Sequence, residues 1–433
     1  MAANTDKGIR NKVIYQIFTR NYKDGTFRAV EEDLGRIRAL GVDIVYFLPI
    51  QPSGTVHRKG TSGSPYAIKD YRAVDQTFGT MEDFIRLTEA IHAAGMQVML
   101  DVVYNHTSPD SWLAENHPEW FFRKEDGSFG NRIGDWWDVI DLDYTNKGLW
   151  EYQIETLKMW ARYVDGFRCD VAPLVPLEFW KQARTEVETV RPGCLWLAES
   201  VEPEFITGCR KMGIPVLSDG ELYQAFDICY DYDIYHDMAD VLYGERVLSE
   251  YLNSVNRQEA IYPDNYSKLR CLENHDRPRA AAMIPDEKAL RNWTAWIYFV
   301  KGTTMIYAGE EYCAKHHPTL FDPDPVEFDA DKDISDFMVK LGEIRKNPIF
   351  AHSSFHAEAI GRNKEVIFAV HEAEAGEPVS AQKAVGIFSV TGLAQALKID
   401  LPDGTYTDAI TGKMVDVFEK TVACDGEPVI LLL

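Results

Sequence analysis

The 433-residue sequence is short of the features that define several common protein classes. Its seven cysteines are scattered and form no C-x-x-C pair, which argues against a disulfide framework or a structural zinc site and favours reduced thiols. No stretch approaches the roughly 18 apolar residues of a membrane span, and the start MAANTDKGIRNKV lacks the apolar core of a secretory signal. The sequence therefore predicts a cytoplasmic protein with no membrane partner.

Positive charge and phosphate-binding turns are also scarce. The 45 lysines and arginines are outnumbered by 68 acidic residues, which gives a formal net charge of -23. A chain this acidic repels nucleic acid and anionic membranes, so we expect neither as a partner. Neither G-x-G-x-x-G nor G-x-x-x-x-G-K occurs, which weakens the case for an open nucleotide-binding sheet. A neutral ligand is compatible with all of these absences.

What the chain contains is an alternation of short apolar runs with amphipathic helical segments. Runs this apolar are typical of parallel strands that are buried on both faces. Eight of them predict strands, at residues 13–19, 44–50, 97–103, 166–171, 194–200, 225–231, 268–274 and 303–309. Eight strands alternating with helices predict a closed (β/α)8 TIM barrel, with an open doubly wound sheet as the competing fold.

Two segments interrupt this alternation. Residues 104–147 form a long polar and aromatic stretch after the third strand, which is typical of a functional insertion. From residue 350 onward, strand-length runs separated by turn residues predict a small antiparallel β domain. We therefore expect a barrel from residues 1–103 and 148–349, an inserted small domain at 104–147 and a C-terminal β domain at 350–433.

Charged side chains stand at the carboxyl ends of the predicted strands, where barrels of this kind carry their active sites. Three carboxylates come from three different strands and are accompanied by one arginine and two histidines: Asp170, Glu199, Asp276, Arg168, His106 and His275. A salt-bridge network could explain any one of them, but three carboxylates share too few cations and repel one another. The cluster therefore favours a catalytic site.

Two other chemistries fit this pattern less well. Carboxylates and histidines could bind zinc or manganese, but no H-E-x-x-H or close histidine spacing is present. Cys169 could act as a nucleophile, but it is adjacent to Asp170 and should point to the opposite face of the strand. Glycoside hydrolysis, which uses two carboxylates in different environments, fits better. Arg168 is expected to keep Asp170 ionised, whereas the apolar run CLWLA before Glu199 favours a proton on that group.

With these residues assembled, the chain resembles the α-amylase family of retaining glycoside hydrolases, glycoside hydrolase family 13. The segments DVVYNH, GFRCDV, WLAES and ENHD are similar to the family's four principal conserved segments and stand in the same order. SPYAIKDY, FLPI and MIYAGEE are similar to its accessory segments. The resemblance spans nearly the whole chain and implies a TIM barrel with a small domain inserted after strand 3 and a C-terminal antiparallel β-sandwich.

The resemblance also implies a role for each site residue. Asp170 corresponds to the nucleophile, Glu199 to the acid and then base, and Asp276 to the carboxylate that grips the sugar hydroxyls. Four residues correspond to substrate-binding groups next to the cleaved bond: Tyr66, which stacks on the sugar ring, Arg168, His106 and His275. In a retaining enzyme, the carboxyl groups of Asp170 and Glu199 are expected to lie about 5–5.5 Å apart.

Departures from the family pattern bear on the cofactor and on the linkage. Pro173 and Leu174 stand where many amylases carry a Lys-His pair, whose histidine commonly supports a structural calcium. Asn105 corresponds to a side-chain calcium ligand but is equally suited to pinning the loop after strand 3. We therefore expect no required cofactor and one candidate calcium ligand. Val171 is reminiscent of members that cut α-1,6 bonds, whereas Gly63 stands where exo-acting oligoglucosidases often carry an aspartate.

The sequence as a whole predicts a retaining hydrolase of α-glucosidic bonds, most of all α-1,4 bonds, in maltooligosaccharides or related neutral α-glucans. A transglycosylase or an α-1,6-glucosidase of the same family is the alternative. A non-catalytic carbohydrate-binding protein is disfavoured because all three carboxylates are intact. No pattern in the chain indicates the oligomeric state.

Overall fold

The computed structural model describes residues 4–133, 136–328, 332–377 and 379–433. The strands in chain order are β1 Val13–Ile17, β2 Ile44–Phe47, β3 Gln97–Val102, β4 His106–Thr107, β5 Ile140–Asp141, β6 Gly166–Cys169, β7 Leu195–Ala198, β8 Ile228–Tyr230, β9 Lys268–Arg270, β10 Thr303–Tyr307, β11 Ser353–Ile360, β12 Val366–Ala373, β13 Lys383–Ser389, β14 Gln395–Lys398, β15 Gly404–Thr407, β16 Met414–Phe418, β17 Thr421–Cys424 and β18 Val429–Leu432. The helices are α1 Phe27–Glu32, α2 Leu34–Ala39, α3 Met81–Ala93, α4 Trp112–Asn116, α5 Lys147–Trp160, α6 Leu177–Glu188, α7 Pro203–Lys211, α8 Asp219–Leu222, α9 Tyr235–Leu242, α10 Leu248–Ile261, α11 Ala280–Met283, α12 Glu287–Phe299 and α13 Ser335–Arg345. Within the described ranges, no helix has the length and apolar character that a membrane crossing needs.

Eight parallel strands close into a barrel in the order β1, β2, β3, β6, β7, β8, β9 and β10, and β10 pairs back onto β1. Ile14 of β1 is in register with Met305 of β10 on one side and with Ile44 of β2 on the other. Each barrel strand lies inside one of the eight predicted runs, so the predicted barrel is confirmed. The strands are shorter than the runs mainly because the last residues of each run leave the sheet and begin the loops at its carboxyl end.

The period-two alternation of a strand decides which side chains enter the barrel. In β6, Phe167 and Cys169 are fully buried in the core between the strands and the helices, as expected for Cys169. Arg168, between them, points inward and is in register with Asp101 of β3. Met99, two residues before Asp101, belongs to a separate apolar cluster inside the barrel. Arg168 and Asp101 therefore lie closer to the carboxyl ends of the strands than the apolar cluster that fills the inside of the barrel.

Local signals place α3 in front of β3. Thr80 and Asp83 form a capping box, in which each side chain accepts a hydrogen bond from the other residue's backbone N–H, and such a cap contributes about 1 kcal/mol. Phe84 and Ile91 recur at helical spacing and are fully buried, which stabilises the packing by roughly 1.5–3 kcal/mol each. Gly95 ends the helix with a φ of +76°, a left-handed conformation that suits glycine, and the chain then enters β3.

The rest of the fold also agrees with the predicted class. Residues 104–147 contain the antiparallel pair β4–β5 and the short helix α4. The C-terminal region forms two four-stranded antiparallel sheets, with orders β11-β12-β13-β18 and β14-β17-β16-β15. Both sheets contribute to one apolar core, as in a β-sandwich. The fold class is confirmed, while the domain boundaries at 103/104, 147/148 and 349/350 stay predictions.

A buried histidine joins the C-terminal sheets to the barrel. His371 of β12 is fully buried, and its ring packs against Phe299, Phe350 and Phe355. Its Nε2–H donates to the carbonyl of Phe299, at the end of α12, at 2.8 Å. Nδ1 therefore accepts from the Ser353 hydroxyl, at 2.7 Å. Burial holds the pKa of His371 well below its usual value, so the imidazole is neutral and both of its nitrogens have partners.

Candidate active site

The carboxyl ends of the barrel strands open into a cavity of about 230 Å³. Five of the residues singled out in the sequence line it: Asp170, Glu199, Asp276, Tyr66 and His106. Other residues also contribute to the lining: Lys59, Trp136, Asp138, Val171, Leu320 and Phe321. Arg168 and His275 lie beneath the cavity and are 0% and 1% exposed. The structure thus places every predicted site residue in or beneath this cavity except Asn105, which contacts His106 but lines a different cavity.

The strand register fixes the position of the two central carboxylates. Arg168 and Asp170 are two residues apart and so point to the same side of the strand, into the barrel. The N–H of Asp170 still donates to the Val102 carbonyl, at 2.9 Å. In the same way, the N–H of Glu199 donates to the Cys169 carbonyl at 3.0 Å. Each of the two carboxylates is therefore attached at the last hydrogen-bonded residue of its strand, where the backbone is rigid.

One guanidinium contacts three carboxylates. Nη1 of Arg168 lies 2.9 Å from Oδ1 of Asp170 and 2.9 Å from Oδ1 of Asp101. Nη2 of Arg168 lies 2.7 Å from Oε1 of Glu199. The Tyr46 hydroxyl also donates to Asp101, at 2.6 Å. Arg168 thus fixes Asp170 and Glu199 relative to each other, and Asp101 holds Arg168 in place.

The charge balance differs from the expectation that Arg168 keeps Asp170 ionised. Burial and the negative charge of Glu199 raise the pKa of Asp170 well above its usual value, and the opposing effect of Arg168 is smaller. Burial also raises the pKa of Asp101 to about 6. Within this cluster, the carboxyl groups of Asp101 and Asp170 therefore favour their protonated forms more than they would in water. Arg168 acts on Asp170 in the expected direction, but burial and the charge of Glu199, which the expectation did not weigh, act more strongly in the opposite direction.

Val171, directly after Asp170, has its backbone in the left-handed region, with φ +40° and ψ 44°. A β-branched residue rarely adopts this conformation, which costs on the order of 1–3 kcal/mol. In this conformation the N–H of Val171 donates a hydrogen bond to Oε2 of Glu199 at 2.8 Å. Glu199 is therefore held at one oxygen by Arg168 and at the other by a main-chain amide. No sequence pattern indicates this contact, because it depends on a backbone dihedral angle.

His275 connects Tyr66 to Asp276. The side-chain amide of Gln16 donates to Nδ1 of His275 at 3.0 Å, which leaves the proton on Nε2. Nε2 lies 2.6 Å from the Tyr66 hydroxyl and 3.1 Å from Oδ2 of Asp276. Burial lowers the pKa of His275 to about 3, so the ring is neutral. Asp276 is the most accessible of the three carboxylates, with 40% of its side chain exposed, and a ligand can reach it.

His106 is a second neutral imidazole at the cavity. The side-chain amide of Asn105 donates to Nδ1 of His106 at 3.1 Å, which places the proton on Nε2. That nitrogen lies 3.8 Å from Oδ2 of Asp170, too far for a direct hydrogen bond. Burial and the charge of Lys59 lower the pKa of His106 to about 3. The Trp136 ring packs beside it, with ring centroids 5.4 Å apart.

Asn105, the candidate calcium ligand, lines a different cavity of about 650 Å³ that contains none of the three carboxylates. Arg132 occupies the oxygen-rich part of that cavity: its Nη1 donates to the Leu142 carbonyl at 3.0 Å. The same guanidinium lies 3.9 Å from Oδ2 of Asp141 and 3.8 Å from Oδ1 of Asp143. Across the described ranges, no group of three or more His, Cys, Asp or Glu is arranged to hold a metal. Because the Arg132 guanidinium already lies among these oxygens, the residues around Asn105 fit a calcium ion poorly.

Three carboxylates around one cavity, at the carboxyl end of a closed (β/α)8 barrel, define an enzyme of the glycoside hydrolase type. The family described as "Alpha amylase, catalytic domain" matches residues 16–340, and the family "Bacterial Alpha amylase C-terminal domain" matches residues 359–431. The chain belongs to the α-amylase family, whose members act on glycosidic bonds.

Solved structures agree with this assignment over nearly the whole chain. An alpha-amylase from Lactobacillus plantarum is 43% identical, with a TM-score of 0.94, over 98% of this chain and 99% of that one. A noncanonic maltogenic alpha-amylase from Thermotoga neapolitana is 31% identical, with a TM-score of 0.86, over 98% of this chain and 100% of that one. The Alpha-1,4-glucan:maltose-1-phosphate maltosyltransferase of Mycobacterium tuberculosis is 32% identical over 222 residues, which cover 47% of this chain and 31% of that protein. The chain spans about a third of the length of the curated relatives it matches.

Proposed function

We propose that the protein hydrolyses α-1,4-glucosidic bonds in maltooligosaccharides and related neutral α-glucans, with retention at the anomeric carbon. The observation that carries this proposal is the contact of one buried guanidinium with both central carboxylates, at 2.9 Å from Asp170 and 2.7 Å from Glu199. A shared partner keeps the two groups close together, as retention requires, and we expect their carboxyl groups to lie about 5–5.5 Å apart.

In the proposed mechanism, a carboxylate oxygen of Asp170 attacks the anomeric carbon while Glu199 gives its proton to the glycosidic oxygen. The bond from that carbon to the leaving sugar breaks, and a covalent glycosyl ester forms on Asp170. Glu199, now ionised, takes a proton from water, whose oxygen attacks the same carbon and displaces Asp170. Two inversions give net retention, and both carboxyl groups return to their initial protonation states.

The charge arrangement supports this division of roles. When Glu199 carries the proton that it donates in the first step, the negative charge that raises the pKa of Asp170 is absent, and Arg168 favours ionised Asp170. Transfer of the proton to the leaving sugar makes Glu199 negative at the moment when Asp170 becomes a neutral ester. The charge that these two groups present to Arg168 therefore stays constant through the step.

The sugar ring on the non-reducing side of the cleaved bond is proposed to bind between Tyr66, His106, His275 and Asp276. Neutral imidazoles can hydrogen-bond to hydroxyl groups without a counter-ion, which suits an uncharged substrate. The carboxylate of Asp276 can accept hydrogen bonds from two hydroxyls of one ring. It also supplies negative charge near the anomeric carbon, where the transition state becomes positive.

Transfer of the glycosyl group to another acceptor is the second candidate function. Water, a sugar hydroxyl and phosphate can all attack the same ester intermediate, and the curated relatives are named maltosyltransferases. Cleavage of α-1,6 bonds is a further alternative, because Val171 lines the cavity beside the nucleophile.

The enzyme is also proposed to need no metal ion and to work in the cytoplasm. The guanidinium of Arg132 supports the first point, since a fixed cation already faces Asp141 and Asp143. All seven cysteines are free thiols, which are typical of a reducing compartment and support the second point.

Product analysis tests the proposed function. The assay compares three proteins: the wild type, Asp170→Asn and the control Asp126→Asn, which changes an exposed aspartate outside the cavity. Each is incubated with maltoheptaose or isomaltose, with and without inorganic phosphate. We expect wild type and control to form α-anomers first from maltoheptaose, and Asp170→Asn to lose at least about 10³-fold in kcat. A β-anomer as the first product would overturn retention. A sugar phosphate as the main product would favour transfer over hydrolysis.

A further inference from the structure

An ion pair borders the cavity that His106 also lines. Nζ of Lys59 lies 2.7 Å from Oδ1 of Asp138, and both side chains line the cavity. Asp138 is only 3% exposed, so the pair is partly shielded from water, where an ion pair is stronger than at the surface. Lys59 belongs to the loop after β2, and Asp138 belongs to residues 104–147. The pair therefore connects two separate segments that border the cavity.

The loop that carries Lys59 is fastened to a third segment, which follows β10. The N–H of Ser62 donates to the Phe321 carbonyl at 2.9 Å, and the N–H of Thr61 donates to Oδ1 of Asp322 at 2.7 Å. Gly60 has a φ of +58°, and a Cβ added there would lie 2.5 Å from the Phe321 carbonyl oxygen, so glycine is needed for this approach. Lys59 thus extends from backbone that is held in place.

Aromatic rings lie around the ammonium group of Lys59. Nζ of Lys59 lies 5.7 Å from the centre of the Phe321 ring and 5.5 Å from that of Trp137, within the cation–π range of about 6 Å. Trp136 packs against His106 on the same side of the cavity. We name this part of the cavity lining the glycone wall, after the glycone, the part of the substrate on the non-reducing side of the cleaved bond. It consists of Lys59, Asp138, Trp136 and Phe321.

We propose that the glycone wall limits the substrate on the non-reducing side of the cleaved bond to one or two glucose units, so that the enzyme cuts from chain ends. This inference rests on the proposed function, in which Tyr66 and His106 bind the adjacent ring. The cavity of about 230 Å³ is smaller than the pockets of about 300–1,000 Å³ that enclose drug-sized ligands, so it suits a short glycone. The Lys59 ammonium can donate three hydrogen bonds, more than one ion pair uses, and the hydroxyls of a chain-end glucose are suitable acceptors.

The test compares two p-nitrophenyl maltoheptaosides, one with a free non-reducing end and one blocked there by a 4,6-O-ethylidene group. Products and kcat/KM are measured by chromatography for the wild type, Lys59→Ala and Asp138→Asn. Lys69→Ala is the matched control. That lysine also follows β2 and pairs with Asp110 of residues 104–147, at 3.7 Å, but it lies outside the cavity.

We expect wild type and Lys69→Ala to cleave the blocked substrate at least about tenfold more slowly than the free one, with glucose or maltose released first. Lys59→Ala should bring the two rates to within about twofold and release longer products. Equal cleavage of both substrates by the wild type would overturn the role of the wall while leaving hydrolysis intact. Cleavage of neither substrate would instead overturn the proposed function itself.

The wall is also refuted if Lys59→Ala keeps the wild-type ratio of the two rates and the wild-type thermal midpoint. Asp138→Asn gives an independent reading, because it weakens the same ion pair from the other segment with little change in volume. A shift of the ratio in either folded variant, together with no shift in Lys69→Ala, supports the wall.

Discussion

Replacing Arg168 by methionine tests how charge is arranged in the site. The guanidinium is fully buried and contacts Asp101, Asp170 and Glu199. Methionine fills a similar volume but leaves these buried carboxylates without their cation. Removing one partner of a buried ion pair typically costs about 3–5 kcal/mol. We therefore expect Arg168→Met to lower the free energy of unfolding of the barrel by about that amount at neutral pH, and to abolish turnover.

The loss of stability should shrink in acid, and its sign follows from the raised pKa values. The pKa of Asp101 is about 6 in the folded protein, and that of Asp170 is raised well above its usual value. An acid with a raised pKa binds its proton more tightly in the folded state, so it favours folding increasingly as pH falls toward the unfolded value. Without Arg168, both acids hold protons more readily, and each can recover up to about 1.4 kcal/mol per pH unit. The difference between variant and wild type should therefore fall between about pH 7 and pH 5.

Urea unfolding followed by tryptophan fluorescence, at both pH values, measures this difference. Arg28→Met is the matched control, because this exposed arginine pairs with Glu32 on the surface of α1 and its loss should change nothing measurable. If Arg168→Met is as stable as wild type at neutral pH, the buried contacts are not charged pairs. If the loss is the same at both pH values, Arg168 does not lower the pKa values of Asp101 and Asp170 in the folded protein.

Three further outcomes are expected. Arg132→Gln should lower the thermal midpoint, and added calcium should restore part of the loss. A chelator should leave the midpoints of the wild type and of the control Arg123→Gln unchanged. If a chelator destabilises the wild type, the Arg132 guanidinium does not replace a metal ion at this site. Val171→Gly should keep or raise the thermal midpoint, because glycine avoids strain on the order of 1–3 kcal/mol. The same change should lower kcat, because the backbone amide that donates to Glu199 becomes less fixed. An unchanged kcat argues against a role for that contact. His106→Asn should lower kcat/KM without moving the acidic limb of its pH profile, because the pKa of His106 is about 3; a displaced limb would show that His106 titrates in that range.

The barrel and its acids could be predicted because both depend on local spacing. A residue spacing of two places Arg168 and Asp170 on one face of β6, and a strand end places Glu199 beside them. The same reasoning kept Cys169 out of the site. These inferences need only the period of a strand and the rule that parallel strands end at one edge of a barrel.

The remaining features depend on approaches that no local pattern encodes. The pair Lys59–Asp138 joins two loops that are distant in sequence, and Arg132 reaches the oxygens near Asn105 only after residues 104–147 have folded. The left-handed backbone of Val171 is a dihedral angle rather than a residue type. The effect of burial on the pKa of Asp170 was not predicted, because desolvation is a property of the packed barrel.

His371 is expected to make the stability of the interface between the barrel and the C-terminal sheets depend on pH. Folding holds its pKa well below the ordinary value of 6.5, so the folded state binds fewer protons there than the unfolded state. Stability at this position should therefore fall as pH drops below about 6.5, by up to about 1.4 kcal/mol per unit. The acids around Arg168 respond in the opposite direction. Acid is therefore expected to weaken the contact between the barrel and the C-terminal sheets at His371, while it favours the protonated forms of Asp101 and Asp170 inside the barrel.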